Sequence, residues 1–283
     1  MIFEKHGFAA WVMDADGNTL PEYQAQEIGD DTIRCWIPSS DGQKFKIQWR
    51  VMEILHPKHD LNTVPILDGI RMSGKVSRKH KVVKGFTRQH FRQRTGASTA
   101  RPYEFGRRTL SDNYGDRKLV PSLSDSLNTI KLVVDWGYGS PPVPRETFPA
   151  PQEVGPVHER AVKKGHDGAA QLGTEISVPP STDGVVFTSS KEIKPITFTF
   201  CYASENWLRA RDIIPCSRES DSQDRDGRTL KCERSATLDI IDIDDLETDD
   251  EVHIIKHVAP ASATSSKKQR TLKGKSEKPK EEH

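Results

Sequence analysis

The fold of this chain is decided by an alternating stretch near its start, Lys44-Phe45-Lys46-Ile47-Gln48-Trp49-Arg50-Val51. Its four apolar side chains share one face, as in a β-strand that is buried on one side and wet on the other. A second alternating stretch, Thr32–Ile37, precedes it, and the turn-forming residues Pro38–Gly42 lie between the two. The pattern predicts two strands joined as a β-hairpin.

Further β-strands are predicted along the first 215 residues of the chain. They are Phe8–Met13, Val64–Leu67, Lys81–Phe86, Thr129–Asp135, Val185–Thr188 and Ile196–Tyr202. Two short helices are predicted, His158–Lys164 and Ser204–Arg211, the second with Ser204 as its N-cap. Many short strands separated by turns are typical of an all-β protein, and we expect a two-sheet β-sandwich with one or two short helices.

The composition of the chain changes at residue 215. Six prolines lie between Pro141 and Pro156, so residues 141–184 are expected to form a Pro/Gly-rich loop or linker within a β domain of residues 1–215. No aromatic residue follows Trp207. A polar segment without aromatic residues buries too little apolar area to offset its ordering entropy, so residues 216–283 are predicted to be a disordered tail.

The charge is segregated along the chain, although the formal net charge is only +1. From Arg71 to Lys118, fourteen Lys and Arg residues stand against three acidic residues, a net charge of +11. The tail carries an acidic segment, residues 235–251, with a net charge of −8, and a basic segment, residues 266–283, with a net charge of +4. These opposed charges make a contact between the basic body and the acidic segment a hypothesis of its own.

Several short motifs link the chain to a known family. They are Gly7–Val12, Cys35–Ser39, Asp68-Gly69 followed by Gly74, Arg101–Phe105 and Pro195–Tyr202. In these motifs the chain resembles an uncharacterised, mainly fungal domain-of-unknown-function family, over roughly residues 5–215. The resemblance implies a β-rich fold and implies no activity, ligand or catalytic residue.

Motifs typical of enzymes and of cofactor or metal sites are incomplete in this chain. Residues Gly69–Val76 nearly spell a phosphate-binding P-loop but end on valine where a hydroxyl would hold the metal, so they are interpreted as a glycine turn between strands. Two histidine pairs, His56 with His59 and His253 with His257, supply two metal ligands each, which do not make a site. The sequence therefore predicts no enzyme, no cofactor and no metal centre.

The basic stretch is a candidate nucleic-acid surface. Its candidate contact residues are Arg88, Arg92, Arg94, Arg107 and Arg108, interleaved with Phe86, His90, Phe91, Tyr103 and Phe105. Nucleic-acid binders combine cations that contact phosphates with rings that stack on bases. The alternative is that the rings fill the sandwich core while the cations form its wet face, and we favour this second interpretation.

The most specific signal lies in the tail, in the run Leu238-Asp239-Ile240-Ile241-Asp242-Ile243-Asp244-Asp245-Leu246-Glu247. It resembles a SUMO-interacting motif, in which a β-branched run followed by acidic residues adds as a strand to the edge of the partner's sheet. The candidate contact residues are Ile240, Ile241, Ile243, Asp244, Asp245 and Glu247. A solvated acidic tail, or a hairpin with the reversed run Asp249–Ile255, would explain the same residues.

Location and function follow from these patterns. Lys267, Lys268 and Arg270 fit a short nuclear-import signal. The four cysteines lack metal-type or disulfide-framework spacing, and no run approaches the ~20 apolar residues of a membrane span. We expect an intracellular protein, with the nucleus favoured over the cytoplasm. The prediction is a non-enzymatic binding or adaptor protein with a protein partner at its tail, and the alternative is a nucleic-acid-binding protein.

Overall fold

The computed structural model describes residues 1–111, 126–144, 147–148, 153–158, 167–180 and 183–215. In the stretch Phe45–Val51 every second side chain is buried, beginning with Phe45. The apolar residues of this alternating sequence are therefore the buried residues of the strand. Within the described residues, no helix is long and apolar enough to cross a membrane.

Twenty strands make up most of this part of the chain. The first ten are β1 (Ile2–Phe3), β2 (Phe8–Asp14), β3 (Tyr23–Ile28), β4 (Thr32–Pro38), β5 (Phe45–Val51), β6 (Asp60–Leu67), β7 (Ile70–Arg71), β8 (Lys75–Ser77), β9 (Thr87–His90) and β10 (Arg92–Arg94). The others are β11 (Thr99–Arg107), β12 (Leu110–Ser111), β13 (Thr129–Gly139), β14 (Val143–Pro144), β15 (Val157–His158), β16 (Gly168–Leu172), β17 (Ile176–Ser177), β18 (Asp183–Gly184), β19 (Phe187–Ser189) and β20 (Ile196–Ala203). The strand-rich fold class is confirmed.

The strands form two layers around one core. The first layer is an eight-stranded sheet of order β3-β4-β20-β13-β6-β7, in which β8 also pairs with β6 and β19 with β13. The second layer contains the sheet β1-β2-β5-β9 and the sheet β10-β11-β16. The last two sheets are joined where the Phe105 amide donates to the Gln43 carbonyl, at 2.9 Å.

The predicted hairpin between Thr32–Ile37 and the strand at Phe45 is wrong. Strand β4 pairs in parallel with β20 and antiparallel with β3, whereas β5 pairs with β2 and β9. The connection after Pro38 carries the chain from one layer to the other. The alternating pattern indicates only that each strand buries one face. Two strands in opposite layers meet this requirement as well as two neighbouring strands of one sheet do.

Other predicted elements shift or fall away. The predicted strand Lys81–Phe86 is wrong, because a 3₁₀ turn covers Lys79–Lys81 and the next strand begins only at Thr87. The strand predicted at Val185 begins at Phe187 as β19. Residues 157–158 are a short strand, and the rest of the predicted helix His158–Lys164 lies outside the described residues, as do residues 216–283.

The helix predicted after Ser204 is confirmed as α1 (Glu205–Ala210). The Ser204 hydroxyl accepts a hydrogen bond from the Trp207 amide at 3.4 Å, as an N-cap does. Leu208 of this helix is fully buried, and the Trp207 ring lies 5.6 Å from that of Trp36. The helix therefore closes a second, smaller hydrophobic cluster beside β4 and β20.

Aromatic rings from both layers fill the main core. Phe45 and Phe105 of the second layer stack at 4.5 Å, and Phe105 lies 5.2 Å from Tyr202 of the first layer. Phe8 meets Trp136 across the layers edge to face, at 5.7 Å. Strand β20 contributes one whole face to this core, since its alternate residues from Ile196 to Tyr202 have no exposed surface.

One carboxylate links the two layers at the end of β6. Asp68 and Gly69 form the two-residue loop between β6 and β7, and both have positive φ, as a type I′ turn requires. The Asp68 side chain is buried, and its oxygens accept hydrogen bonds from the Tyr202 hydroxyl at 2.8 Å and from the Thr129 and Ala170 amides. The turn is thereby tied to β20, β13 and β16.

We predict that Tyr202→Phe lowers the free energy of unfolding by about 1.5–3 kcal/mol, the range for a hydrogen bond to a charged group. The variant removes one donor from the buried Asp68 carboxylate and keeps the ring in the core. Urea unfolding measures the effect.

The matched control for this change is Tyr138→Phe. Tyr138 is 58% exposed, so losing its hydroxyl should change stability by less than about 0.5 kcal/mol. Equal losses for the two variants would contradict the special role of Asp68.

Candidate functional site

Two cations from the basic stretch lie over the ring of Phe91, and a third, Arg88, lies over the neighbouring ring of Phe86. Lys75 lies on β8, Arg88 on β9 and Arg92 on β10, while Phe91 stands between the last two strands. The Lys75 Nζ lies 5.7 Å from the centroid of the Phe91 ring, and the Arg92 Cζ lies 4.8 Å from it. Both are cation–π distances. We call Lys75, Arg88, Phe91 and Arg92 the cationic cluster.

The cluster forms where the edges of the two layers approach each other. From β8 in the first layer, the Lys75 Nζ donates to the Gln89 carbonyl on β9 at 2.6 Å. From β9 in the second layer, the Arg88 Nη1 donates to the Val76 carbonyl at 3.1 Å and to the Ser77 hydroxyl at 3.0 Å. The two cations therefore bridge the layers reciprocally.

The charge of the cluster is not balanced by its neighbours. Carbonyl and hydroxyl oxygens accept the hydrogen bonds of Lys75 and Arg88, and among the described residues no ion pair involves any of the three cations. Burial lowers the pKa of the Lys75 ammonium to about 8, and the nearby charges of Arg88 and Arg92 act in the same direction. An unbalanced positive cluster of this kind attracts anions.

The other predicted contact arginines lie elsewhere. Arg94 donates to the Ala97 and Pro179 carbonyls, each at 2.8 Å. Arg107 is exposed and ion-paired with Asp41 at 3.1 Å. Arg108 is only 7% exposed, so it lies inside the domain and off the surface. Of the five predicted arginines, the structure brings Arg88 and Arg92 together, and it adds Lys75.

The aromatic residues of the basic stretch belong mainly to the core. Tyr103, Phe105 and His90 are each at most 2% exposed, so these rings cannot stack on the bases of a nucleic acid. Phe86 and Phe91 are half-buried, and each has a cation over its face. The interpretation that the rings fill the core is confirmed for the three buried residues.

His90 supports the cluster from inside the sandwich. Its Nε2 lies 2.9 Å from the Thr63 hydroxyl on β6. Burial, together with the charges of Lys75 and Arg88, lowers the pKa of the imidazole to about 3. The ring is therefore neutral at physiological pH and adds no charge to the cluster.

The P-loop-like run and the pair His56 and His59 lie within the described part of the structure. The P-loop-like run begins in the turn at Gly69, which confirms its interpretation as a glycine turn. The rings of His56 and His59 lie 6.4 Å apart, and within the described residues no group of three or more His, Cys, Asp or Glu could hold a metal ion. His253 and His257 lie outside the described residues, as do the tail contact residues Ile240–Glu247 and Lys267–Arg270.

Cys35 and Cys201, on the neighbouring strands β4 and β20, are buried. Burial raises the pKa of the Cys35 thiol far above its usual range. A thiol in this setting is held in its unreactive, protonated form. Cys35 therefore contributes to the packing of the main core.

The fold and the cluster define a β-sandwich domain with a cationic edge. The chain belongs to the family described as "Domain of unknown function (DUF7918)", whose match covers residues 12–217. No curated protein and no solved structure matches it. The family carries no described activity that could be transferred to these residues.

Sequence reasoning missed two important side chains. In the sequence, Lys75 was the lysine of an incomplete P-loop, and Asp68 was only part of the Asp-Gly motif shared with the family. The Asp-Gly pair does signal a tight hairpin. The partners of both side chains lie on distant strands, so nothing in their immediate sequence identifies the contacts.

We predict that the free energy of unfolding decreases as the pH is lowered, because of His90. Its pKa is about 3 when folded and about 6.5 when unfolded, so the unfolded state takes up the proton first. The stabilisation is complete above pH 6.5 and is lost as the pH falls towards 3. At pH 5.5 this residue alone should lower the free energy of unfolding by about 1.4 kcal/mol.

Urea unfolding between pH 7.5 and pH 5.5 measures this effect as the difference between the parent protein and His90→Gln. The exposed His80 provides the matched control, since His80→Gln should retain the pH dependence of the parent. A His90→Gln variant with an unchanged pH dependence would contradict the assignment.

Proposed function

We propose that this protein is a non-enzymatic binding protein that uses the cationic cluster to bind the phosphate backbone of nucleic acid. The observation that carries the proposal is the convergence of Lys75, Arg88 and Arg92 with no ion pair to any of them among the described residues. Such a cluster gains more from an external anion than an already paired surface does.

The position of the rings determines the kind of recognition expected. Phe91 already has two cations near its face, and Tyr103 and Phe105 are buried. Base stacking is therefore not part of the proposal. Phosphate contacts fix affinity without reading sequence, so we expect binding that is insensitive to sequence and weakened by salt.

Neighbouring residues extend the positive surface. Lys79, Lys81 and Lys84 are all exposed in the connection between β8 and β9. This connection leads directly into Arg88. A nucleic-acid backbone on the cluster would therefore meet further cations along the same connection.

We predict that Arg88→Gln with Arg92→Gln reduces the salt dependence of binding to a short labelled duplex. Each lost phosphate contact should lower the slope of log affinity against log salt by about 0.9, hence about 1.8 for the pair. Fluorescence anisotropy with the full chain measures both slopes. Circular dichroism checks that the variant is folded, since Arg88 also bridges the layers.

The matched control removes the same charge elsewhere, by Lys46→Gln with Arg211→Gln. This variant should keep the parent slope. Binding should also weaken as the pH rises through about 8, because Lys75 loses its proton there, and Lys75→Arg should abolish that pH dependence. An unchanged slope in the Arg88 and Arg92 variant would refute the proposed interface.

A second proposed contact lies in the tail and rests on the sequence alone. We propose that Ile240–Glu247 binds a SUMO-type modifier as an added strand, which would make the protein an adaptor between a nucleic acid and a protein. The β-branched run followed at once by acidic residues supports this contact. The basic run at Lys267, Lys268 and Arg270 supports a nuclear location.

We predict that Ile241→Ala with Ile243→Ala abolishes binding of the modifier, since these side chains would enter its groove. The parent affinity should be roughly micromolar or weaker, because a few side chains are buried and the segment must be ordered. Isothermal titration of the modifier into the full chain measures it.

The comparison variant is Asp244→Asn with Asp245→Asn, which should weaken binding mainly at low salt. A tail that binds only through charge would respond to the aspartates and ignore the isoleucines. That result would reject the added-strand contact.

A further inference from the structure

A cavity of about 240 Å³ lies beside the turn at Asp68. The ends of β6 and β11 and the strand β16 contribute to its walls. The apolar part of the wall includes Leu67, Ile70, Met72 and Leu172, and the cationic part includes Arg101 and Arg108. At about 30 Å³ for each water molecule, its volume corresponds to roughly eight waters.

Arg108 is the unusual member of this wall. Its side chain is 2% exposed, and its Nη2 donates to Asp68 Oδ2 at 2.6 Å. Its Nε and Nη1 are also buried, and neither has a hydrogen-bond partner among the residues that the structure describes. Leaving the buried donors of a charged group without acceptors costs free energy. A hydrogen bond to an acceptor at this place would therefore stabilise the protein more than the same bond at the surface.

The charges of the wall limit what that acceptor can be. Each guanidinium that lines the cavity already has a carboxylate partner: Arg101 pairs with Glu153, Arg107 with Asp41 and Arg108 with Asp68. A ligand with several negative charges would therefore meet an almost balanced wall. A single carboxylate suits it better, because a guanidinium bonds more strongly to a carboxylate than to a neutral oxygen.

We propose that this cavity binds a small monocarboxylate. Its carboxylate accepts hydrogen bonds from the unpaired N–H groups of Arg108, and its short hydrocarbon part lies against Leu67, Ile70 and Leu172. A few polar groups on an otherwise apolar wall are typical of small-molecule sites. The site shares no residue with the cationic cluster, so it stands or falls separately from nucleic-acid binding.

Butyrate is the probe that tests this proposal, because its size fits the cavity. In ¹H–¹⁵N spectra of the full chain, butyrate should shift the Nε–H resonance of Arg108 in a saturable way. The resonance is assigned by its absence from the spectrum of Arg108→Lys. Butyramide, which has the same shape without the charge, should bind at least about tenfold more weakly.

Arg108→Lys tests the donors and keeps a cation beside Asp68. Lysine lacks the planar set of N–H groups, so butyrate affinity should fall at least about tenfold. Arg211→Lys is the matched control, and it should keep the parent affinity within about twofold because Arg211 is exposed and does not line the cavity.

Three results would overturn the proposal. They are equal binding of butyrate by Arg108→Lys and the parent protein, equal binding of butyramide and butyrate, and an Nε–H resonance of Arg108 that butyrate does not move. If Arg108→Lys fails to fold, the arginine Nε–H resonances of the parent protein decide the question. A buried Nε–H that butyrate shifts and butyramide does not supports the site, and the absence of any such shift refutes it.

Discussion

The buried carboxylate of Asp68 is the constraint on which the rest of the sandwich depends. It sits in a two-residue turn, yet its partners come from Thr129, Ala170, Tyr202 and Arg108, which lie on or beside four other strands. Burial raises the pKa of this carboxyl, and the charge of Arg108 and the donated hydrogen bonds oppose that rise. A buried charge is tolerated only when such partners are in place. The position of the turn therefore fixes how β11, β13, β16 and β20 meet.

The edge formed by β8 and β9 differs from the Asp68 turn, because its charged groups contact uncharged oxygens. There the layers are joined by cations that donate to carbonyl and hydroxyl oxygens, as Lys75 and Arg88 do. These bonds satisfy the geometry of the edge and leave its positive charge unbalanced. The same side chains can thus close the sandwich and attract an anion, and separating the two roles requires a measurement of folding beside every measurement of binding.

Arginines of one short stretch have three different surroundings in this domain. Arg92 lies over an aromatic ring, and Arg107 pairs with a surface carboxylate. Arg108 is buried, and two of its nitrogens have no hydrogen-bond partner within the described part of the chain. Arg107 and Arg108 are adjacent in the chain but differ in exposure, because the Arg107 side chain reaches solvent and the Arg108 side chain is buried. The cationic cluster and the cavity therefore belong to two separate sites, although the sequence presents their arginines as a single basic run.

Local structure could be predicted from the sequence, including the strands at Phe45 and Ile196, the helix capped by Ser204 and the glycine turn after β6. These depend on a period of two residues, on one capping hydroxyl or on an Asp-Gly pair, all of which are local. Only the tertiary structure decided that β4 pairs with β20 instead of β5, and that Arg108 is buried while Arg92 is not. The reason is physical: alternation specifies that a face is buried, whereas the partner across that face is set by packing between residues far apart in the chain.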